Sequence, residues 1–295
     1  MSFTAHRSTT TRPFAYIRSL LRDRDAIHDT LLHLEPDDQA GLRQLFAQQR
    51  KEDEGLGVMK RVKKKGGQLV PLATIGHERK KQRHMSLEEH QQFEPVVDPK
   101  QPLRAFLFGT SGSGKSYMAA MLAEDYHRHH PQSPIYLFSL CDEDPAFDDM
   151  KYIQRIPLDI ETLQDLSIDQ FRSSLIILDD CDQLPDPELN KIMMRLLTLA
   201  LELGRKQGIS VISSSHYPFQ GRKTGTAKRE ANMVAFYPGA GEQGMISKWL
   251  TSSFGMTKPE IQHILDTCAR DKSKWCVLYT NAPRAVLTER TAQIL

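Results

Sequence analysis

The chain has 295 residues, 39% of them hydrophobic and 26% charged, with a formal net charge of +2. That length suits one good-sized domain plus a smaller piece, and the near-neutral balance restricts any nucleic-acid footprint to local patches. No apolar run is long enough to cross a bilayer, the N-terminus carries no hydrophobic signal core, and the four cysteines are scattered without a C-x-x-C pair. The expectation is a soluble protein of a reducing compartment, without a structural zinc site.

In chain order, residues 1–98 differ from the rest. Ile17, Leu20, Leu21, Ile27, Leu31 and Leu32 recur at near-helical spacing and predict an amphipathic helix that stops before Pro36. A second helix is expected over 36–50, with Asp37 and Asp38 in its first turn and Leu42, Leu45 and Phe46 on one face. A basic stretch follows: Lys60, Arg61, Lys63, Lys64 and Lys65, Gly66-Gly67, then Arg79, Lys80, Lys81 and Arg83. It fits a solvated linker or a contact with nucleic acid or an acidic partner, and both readings stay open. Pro95, Pro99 and Pro102 punctuate what comes next, so the boundary is placed at 98: a helical N-terminal region over 1–98, then a second domain over 99–295.

The second region opens on FLFGTSGSGKSY. Ala105 to Phe108 reads as a short buried strand. Gly109, Thr110, Ser111, Gly112, Ser113, Gly114, Lys115 and Ser116 match G-x-x-x-x-G-K-[ST], and Tyr117 opens a helix with Met118, Met121 and Leu122 at helical spacing. Such glycines let backbone N–H groups curl around phosphates at a helix N-terminus. Lys115 would reach the β- and γ-phosphates of ATP, and Ser116 would ligate Mg²⁺; Tyr117 joins the nucleotide-contacting set. Strands are then expected at 134–140, 174–178, 209–213 and 232–237, and a long helix over 188–205. Helices follow at about 243–253 and 258–269, and a terminal hairpin pairs 275–279 with 284–287. This alternation predicts an α/β fold with a mostly parallel sheet flanked by helices, and the one strand that intervenes between the P-loop strand and the strand at 174–178 suits a P-loop NTPase of the RecA/ASCE-like type.

The run SLIILDD, residues 174–180, supplies the second half of a nucleotide site. Apolar residues make the strand, and two carboxylates emerge at its carboxyl end, where ligands of α/β sheets sit. Asp179 is the candidate metal residue and Asp180 the candidate for orienting the attacking water. Further on, the strand ending Ser213-Ser214-Ser215-His216 places Ser215 or His216 beside the expected γ-phosphate, as a sensor or as ordinary strand-end polar groups.

Taken together, these residues resemble the FtsK–HerA superfamily of DNA-pumping ATPases. The match is the P-loop, the strand with two acids, Arg205 ahead of Gly208-Ile209, Ser215-His216 and Pro218 at the strand end, and the Asn232-to-Phe236 strand. The likeness is greatest to the viral genome-packaging branch. It covers about residues 100–240, not the N-terminal region. His216 stands where that superfamily usually has Gln, and Asp180 where many of its members have Glu.

The resemblance implies a homo-oligomeric ring that pumps double-stranded DNA into a preformed capsid, with Lys115, Asp180, His216 and Arg205 as its catalytic residues. Arg205 would act on the neighbouring subunit's nucleotide, with Arg229 as the second candidate for that role. The segment 220–229 reads as a basic loop whose Arg222, Lys223, Lys228 and Arg229 suit DNA phosphates, independent of sequence. A capsid or portal-site protein is the further partner implied, and the host cytoplasm or a viral assembly site the expected location. The rival readings are a nucleotide-dependent switch or assembly factor without translocation, and a plasmid or cellular DNA pump.

Overall fold

The computed structural model describes residues 3–5, 12–19, 30–34, 60–63, 69–72, 83–87, 91–181, 184–216, 222–238, 243–271, 274–281 and 284–294. Two compact units emerge, one of Met1–Val96 with Val277–Leu295, the other Val97–Cys276. The last strands therefore group with the N-terminal residues, where the sequence reading left them with the ATPase domain.

The first unit begins with β1 (Phe3–Ala5), β2 (Arg12–Ser19) and β3 (Thr30–Leu34), then β4 (Lys60–Lys63), β5 (Leu69–Leu72), β6 (Arg83–Ser86) and β7 (Gln91–Pro95). Strands β1, β3, β2 and β7 lie side by side, all antiparallel. This corrects the expected helix spanning Ile17 to Leu32: its two ends are strands, and Tyr16 and Ile17 pair with Leu31 and Thr30. The physical reason is that short apolar runs such as TLLHL satisfy helical and strand spacing alike, and the β-branched and aromatic residues Phe14, Tyr16 and Ile17 favour the strand. The helix expected over 36–50 lies outside the described residues. Part of the basic stretch is also a strand: β4 pairs antiparallel with β5, Lys60 facing Leu72 and Lys63 facing Leu69.

The second unit holds β8 (Arg104–Phe108), α1 (Lys115–His129), β9 (Ile135–Ser139), β10 (Ile153–Arg155), a short α2 (Ile160–Gln164) and β11 (Leu175–Asp179). It continues with α3 (Pro187–Glu202), α4 (Gly204–Gln207), β12 (Ser210–Ser215), α5 (Arg222–Glu230), β13 (Met233–Phe236), α6 (Gln243–Phe254) and α7 (Lys258–Arg270). Its strands run in the order β10-β9-β11-β12-β8-β13, every neighbouring pair parallel. Strand β12, which ends in Ser215, thus lies between the P-loop strand β8 and the acid strand β11, which is the order of a RecA/ASCE-like P-loop NTPase fold. The central strands β8, β11, β12 and β13 are buried on both faces, and β8, β11 and β13 read as nearly continuous apolar runs, as interior strands of a parallel sheet do.

The expected long helix breaks in two at Leu203. Asp186 caps α3, accepting from the N–H groups of Glu188 (2.7 Å) and Leu189 (3.2 Å), with Pro187 at the first turn. At the far end Gly204 packs so closely that an added Cβ would lie 3.1 Å from the Cβ of Ile209. Gly208, at φ 73°, ends α4 in the left-handed conformation that glycine adopts without penalty. Under the P-loop, Phe108 stacks on Phe236 at 5.7 Å, and Trp249 of α6 meets both rings edge-on. The chain closes with β14 (Cys276–Tyr279), β15 (Ala285–Thr288) and β16 (Thr291–Ile294), the last pairing antiparallel with β15 and β6. No helix among the described residues is long and apolar enough to cross a membrane.

Candidate active site

Strand register builds the site. Ser215 of β12 pairs with Phe108 of β8, and Leu178 of β11 pairs with Ser213. Continuing each strand by a residue or two brings Gly109, Asp179, Asp180 and His216 to one edge, the carboxyl end of the sheet. The Gly109 N–H donates to the Ser215 carbonyl (3.3 Å), which ties the start of the P-loop to the end of β12.

The P-loop keeps an open cradle. Gly112 and Gly114 have φ of 71° and 101°, and a Cβ added at Gly112 would meet nothing within 4 Å. Ser113 Oγ is buried without a hydrogen-bond partner, a polar atom of the kind a phosphate oxygen would satisfy. Tyr117 is 72% exposed at the start of α1, beside the loop.

Lys115 is buried, so its ammonium must be satisfied internally. It donates to the carbonyls of Gly109 (3.1 Å) and Thr110 (3.3 Å), lies 3.2 Å from His216 Nδ1, and sits 3.8 Å from Asp180 Oδ2. His216 Nε2 lies 2.8 Å from that same Asp180 oxygen. Ser116 Oγ donates to Asp179 Oδ2 (3.0 Å). A hydroxyl and a carboxylate from two elements converging in this way fit a hard divalent cation with oxygen ligands. Burial pushes the Asp179 carboxyl above the usual range; hydrogen bonds from Ser214 and Ser116 oppose this, and the charges of Asp180 and Asp144 add to it. A cation there would relieve the burial cost.

Sequence reasoning missed two residues. Ser214 Oγ accepts from the Asp180 N–H (2.8 Å) and lies within donating distance of Asp179 Oδ1 (2.7 Å) and Asp180 Oδ1 (3.0 Å). The strand's period of two offered a signal, since Ser214 shares a face with His216. Tyr237, the residue after β13, donates its hydroxyl to the Gly114 carbonyl (2.9 Å), and its ring closes over Gly109 and Gly114. Burial raises its phenol far above the ordinary value, so it stays a donor. Asp180 takes φ 51°, a left-handed conformation uncommon outside glycine and tolerated by aspartate, here held by Ser214.

Other expected residues lie elsewhere. Arg205 is exposed on α4 and adds to the lowering of the Arg104 pKa, after the larger effect of burial. Arg104 begins β8, so Arg205 sits toward the opposite end of that strand from its own P-loop. The segment expected as a basic loop is corrected: Arg222, Lys223, Lys228 and Arg229 lie on helix α5. Its Lys, Arg, Ala and Glu residues are good helix formers, and Gly225 alone does not break it. Lys228 is part-buried, which lowers its pKa, while Arg229 is exposed and reaches Thr226 Oγ1 (3.4 Å). Pro218 lies outside the described residues.

With this geometry in place, comparison with known proteins adds the lineage. The uncharacterized protein V3 of Sputnik virophage is 30% identical over 206 residues, covering 69% of this chain and 81% of V3. The chain belongs to the V3 family. No protein-family model matches it. Solved structures similar to it include the genome packaging NTPase B204 from Sulfolobus turreted icosahedral virus 2 in complex with AMPPCP. That likeness has a TM-score of 0.43 and 15% identity over 65% of this chain and 99% of B204. Another is the pCW3 conjugation coupling protein TcpA with ATPγS, at TM-score 0.40 and 12% identity over 99% of this chain and 86% of TcpA.

Proposed function

We propose that this chain is an ATP-driven translocase of double-stranded DNA, of FtsK–HerA type, which works as a homo-oligomeric ring and packages a viral genome into a preformed capsid. The observation that carries the ATPase reading is the meeting of Lys115, Ser116, Asp179, Asp180 and His216 at the carboxyl ends of β8, β11 and β12. The motif resemblance supports the packaging reading, and the virophage relative supports a viral setting.

In this reading the backbone of residues 109–117 cradles the triphosphate, and Lys115 leaves its carbonyl partners for the phosphates. Ser116 and Asp179 would hold Mg²⁺, which would withdraw charge from the phosphate oxygens. Asp180 and His216 handle the attacking water and register loss of the γ-phosphate. Arg205, remote from its own site, serves a neighbour's; such a finger contributes roughly 10³–10⁵ in rate. Arg222, Lys223 and Arg229 contact DNA phosphates, with part-buried Lys228 contributing less, so binding weakens with salt. The capsid or portal site and the host cytoplasm are the setting, and the N-terminal strands adapt the motor to DNA, capsid or neighbour.

The test is steady-state ATP hydrolysis with and without long double-stranded DNA, for wild type, Lys115→Ala and Arg205→Ala. Expected are stimulation by DNA, an inactive Lys115→Ala that poisons mixtures with wild type more than in proportion, and a severe defect in Arg205→Ala despite intact ATP binding. Slow turnover indifferent to DNA and to Arg205→Ala would identify a nucleotide-dependent switch and remove the motor reading.

A further inference from the structure

Three of the six residues that open the P-loop, Gly109, Gly112 and Gly114, are glycine. Glycine loses more conformational freedom on ordering than any other residue, so a loop of this composition keeps one shape only where something fixes it. A phosphate cradle needs that fixing, because its N–H groups must face inward before the ligand arrives to satisfy them. The Lys115 ammonium ties the loop through the carbonyls of Gly109 and Thr110. In the proposed function it leaves those carbonyls for the phosphates. Tyr237 has no such second task.

Tyr237 is bonded to both ends of the loop. At its base, the backbone N–H donates to the carbonyl of Phe108, the residue before the loop (3.2 Å). This bond extends the pairing of β13 with β8 one step past Phe236 and Phe108. At its tip, the hydroxyl donates to the Gly114 carbonyl (2.9 Å). Between the two, the side chain lies against Gly109: a Cβ added there would sit 3.0 Å from Tyr237 Cβ and 3.1 Å from Cδ2. A buried tyrosine needs an acceptor for its O–H wherever it lies. Here the acceptor belongs to the loop that starts where the same residue is rooted, so the side chain is a strut of fixed length across the P-loop.

The Gly114 carbonyl also accepts the Met118 N–H (3.0 Å), so both of its lone pairs are used. In a planar trans peptide the carbonyl and the N–H point opposite ways. Fixing the Gly114 carbonyl therefore fixes the Lys115 N–H, which points away from α1 and is one of the helix-start donors without a partner inside the helix.

We infer that Tyr237 is a positioning residue for the nucleotide, which braces the P-loop between Phe108 and Gly114 and so sets its affinity for the phosphate chain before binding. The inference rests on the nucleotide-binding part of the reading above. The single O–H of Tyr237 is taken by Gly114, so its effect on the phosphates passes through the loop. A brace that lowers the ordering cost favours the bound ground state and the transition state alike, and so acts on KM and Kd rather than on kcat.

Two variants test this. Tyr237→Phe keeps the ring and removes the hydroxyl; the Gly114 carbonyl keeps Met118, so no group is orphaned. Tyr237→Leu removes the strut and the ring that closes over Gly109 and Gly114. Measured on the full chain are Kd for a fluorescent ATP analogue, Kd for ADP by competition, kcat and KM for ATP, and thermal melting without nucleotide. Expected for Tyr237→Phe is a rise of roughly 3–10-fold in KM and in Kd for both nucleotides, with kcat within about twofold of wild type. Tyr237→Leu should weaken binding by at least about threefold more. A hydroxyl that serves the fold alone would lower the melting temperature and leave both Kd values within about twofold of wild type, which overturns the assignment while the ATPase stands. A fall in kcat at unchanged Kd overturns it too, since the residue would then act in the chemical step. Tyr237→Phe decides by itself should the leucine variant melt early. Wild-type protein that binds neither the ATP analogue nor ADP removes the nucleotide-binding reading and the brace with it.

Discussion

The two ends of the parallel sheet bury polar groups in opposite ways. At the amino end they are mostly neutral, Asp125 being the exception, and serve the backbone. Asn232 Oδ1 accepts from the Arg104 N–H (2.9 Å), its Nδ2 donates to the Pro102 carbonyl (2.9 Å), and Ser210 Oγ accepts from the Leu103 N–H (3.0 Å). At the carboxyl end Lys115, Asp179, Asp180, Ser116, Ser214 and His216 bond largely to one another, and most carry charge or can. A side chain that satisfies main chain has one job and one geometry. A set of charged side chains that satisfy each other holds together only until a stronger ligand arrives. The first arrangement anchors the entry to the P-loop strand; the second is the part that, under the proposed function, phosphate and metal would rearrange.

The largest effect expected of this contrast is on stability. Asn232→Ala leaves the Arg104 N–H and the Pro102 carbonyl without partners, and should cost about 3 kcal/mol, since each buried group so orphaned costs roughly 1–3. Urea denaturation would show the midpoint moving down, while ATP affinity of the folded fraction stays near wild type. A fall in affinity matching the loss of stability would erase the distinction between the two ends.

Ser214→Ala should do the reverse, with a smaller energy. It deprives the Asp180 N–H of its acceptor and Asp179 Oδ1 of its neighbour. The expected result is about tenfold lower turnover, or 1.4 kcal/mol in the barrier, a raised Mg²⁺ requirement and little shift in the urea midpoint. Ser214→Thr, which keeps the hydroxyl, should recover most of the rate. A stability loss without a rate loss would place Ser214 with the anchoring groups.

The same contrast explains what could be read from sequence. The P-loop and the acid pair announce themselves because each is local: glycines, a lysine and a hydroxyl in one loop, two carboxylates at one strand end. Whatever depends on register was hidden. Ser214 matters because β12 pairs with β11 and sets its hydroxyl between Asp179 and Asp180. Tyr237 matters because β13 pairs with β8 and carries the ring over Gly109. Asn232 was visible as a motif residue, but its two backbone partners lie about as far away in sequence as the sheet allows. In the N-terminal strands the apolar spacing fits two periods, and only the pairing of β2 with β3 and β7 decides between them.

The smallest effect tests whether charge at the amino end is a liability. Asp125, on α1, is buried, accepts from the Val97 N–H (2.8 Å) and meets Arg128 (3.1 Å). Burial raises its pKa above the ordinary 3.8, against the pull of the Val97 hydrogen bond and of His129 and Arg128. A carboxyl whose folded pKa is raised favours the folded state below the unfolded value, and this contribution is lost as pH rises through the folded one. Asparagine at 125 keeps an oxygen for Val97 and never ionises; what it gives up is its attraction to His129 (3.7 Å) and to Arg128, 65% exposed, such exposed pairs being worth at most about 1 kcal/mol. Between pH 4 and pH 7 the stability of Asp125→Asn should therefore rise relative to wild type, by an amount under about 1 kcal/mol. Urea midpoints at the two pH values measure it. A wild type that gains on the variant as pH rises would mean that the ion pair outweighs burial, and that the amino end tolerates charge as well as the carboxyl end does.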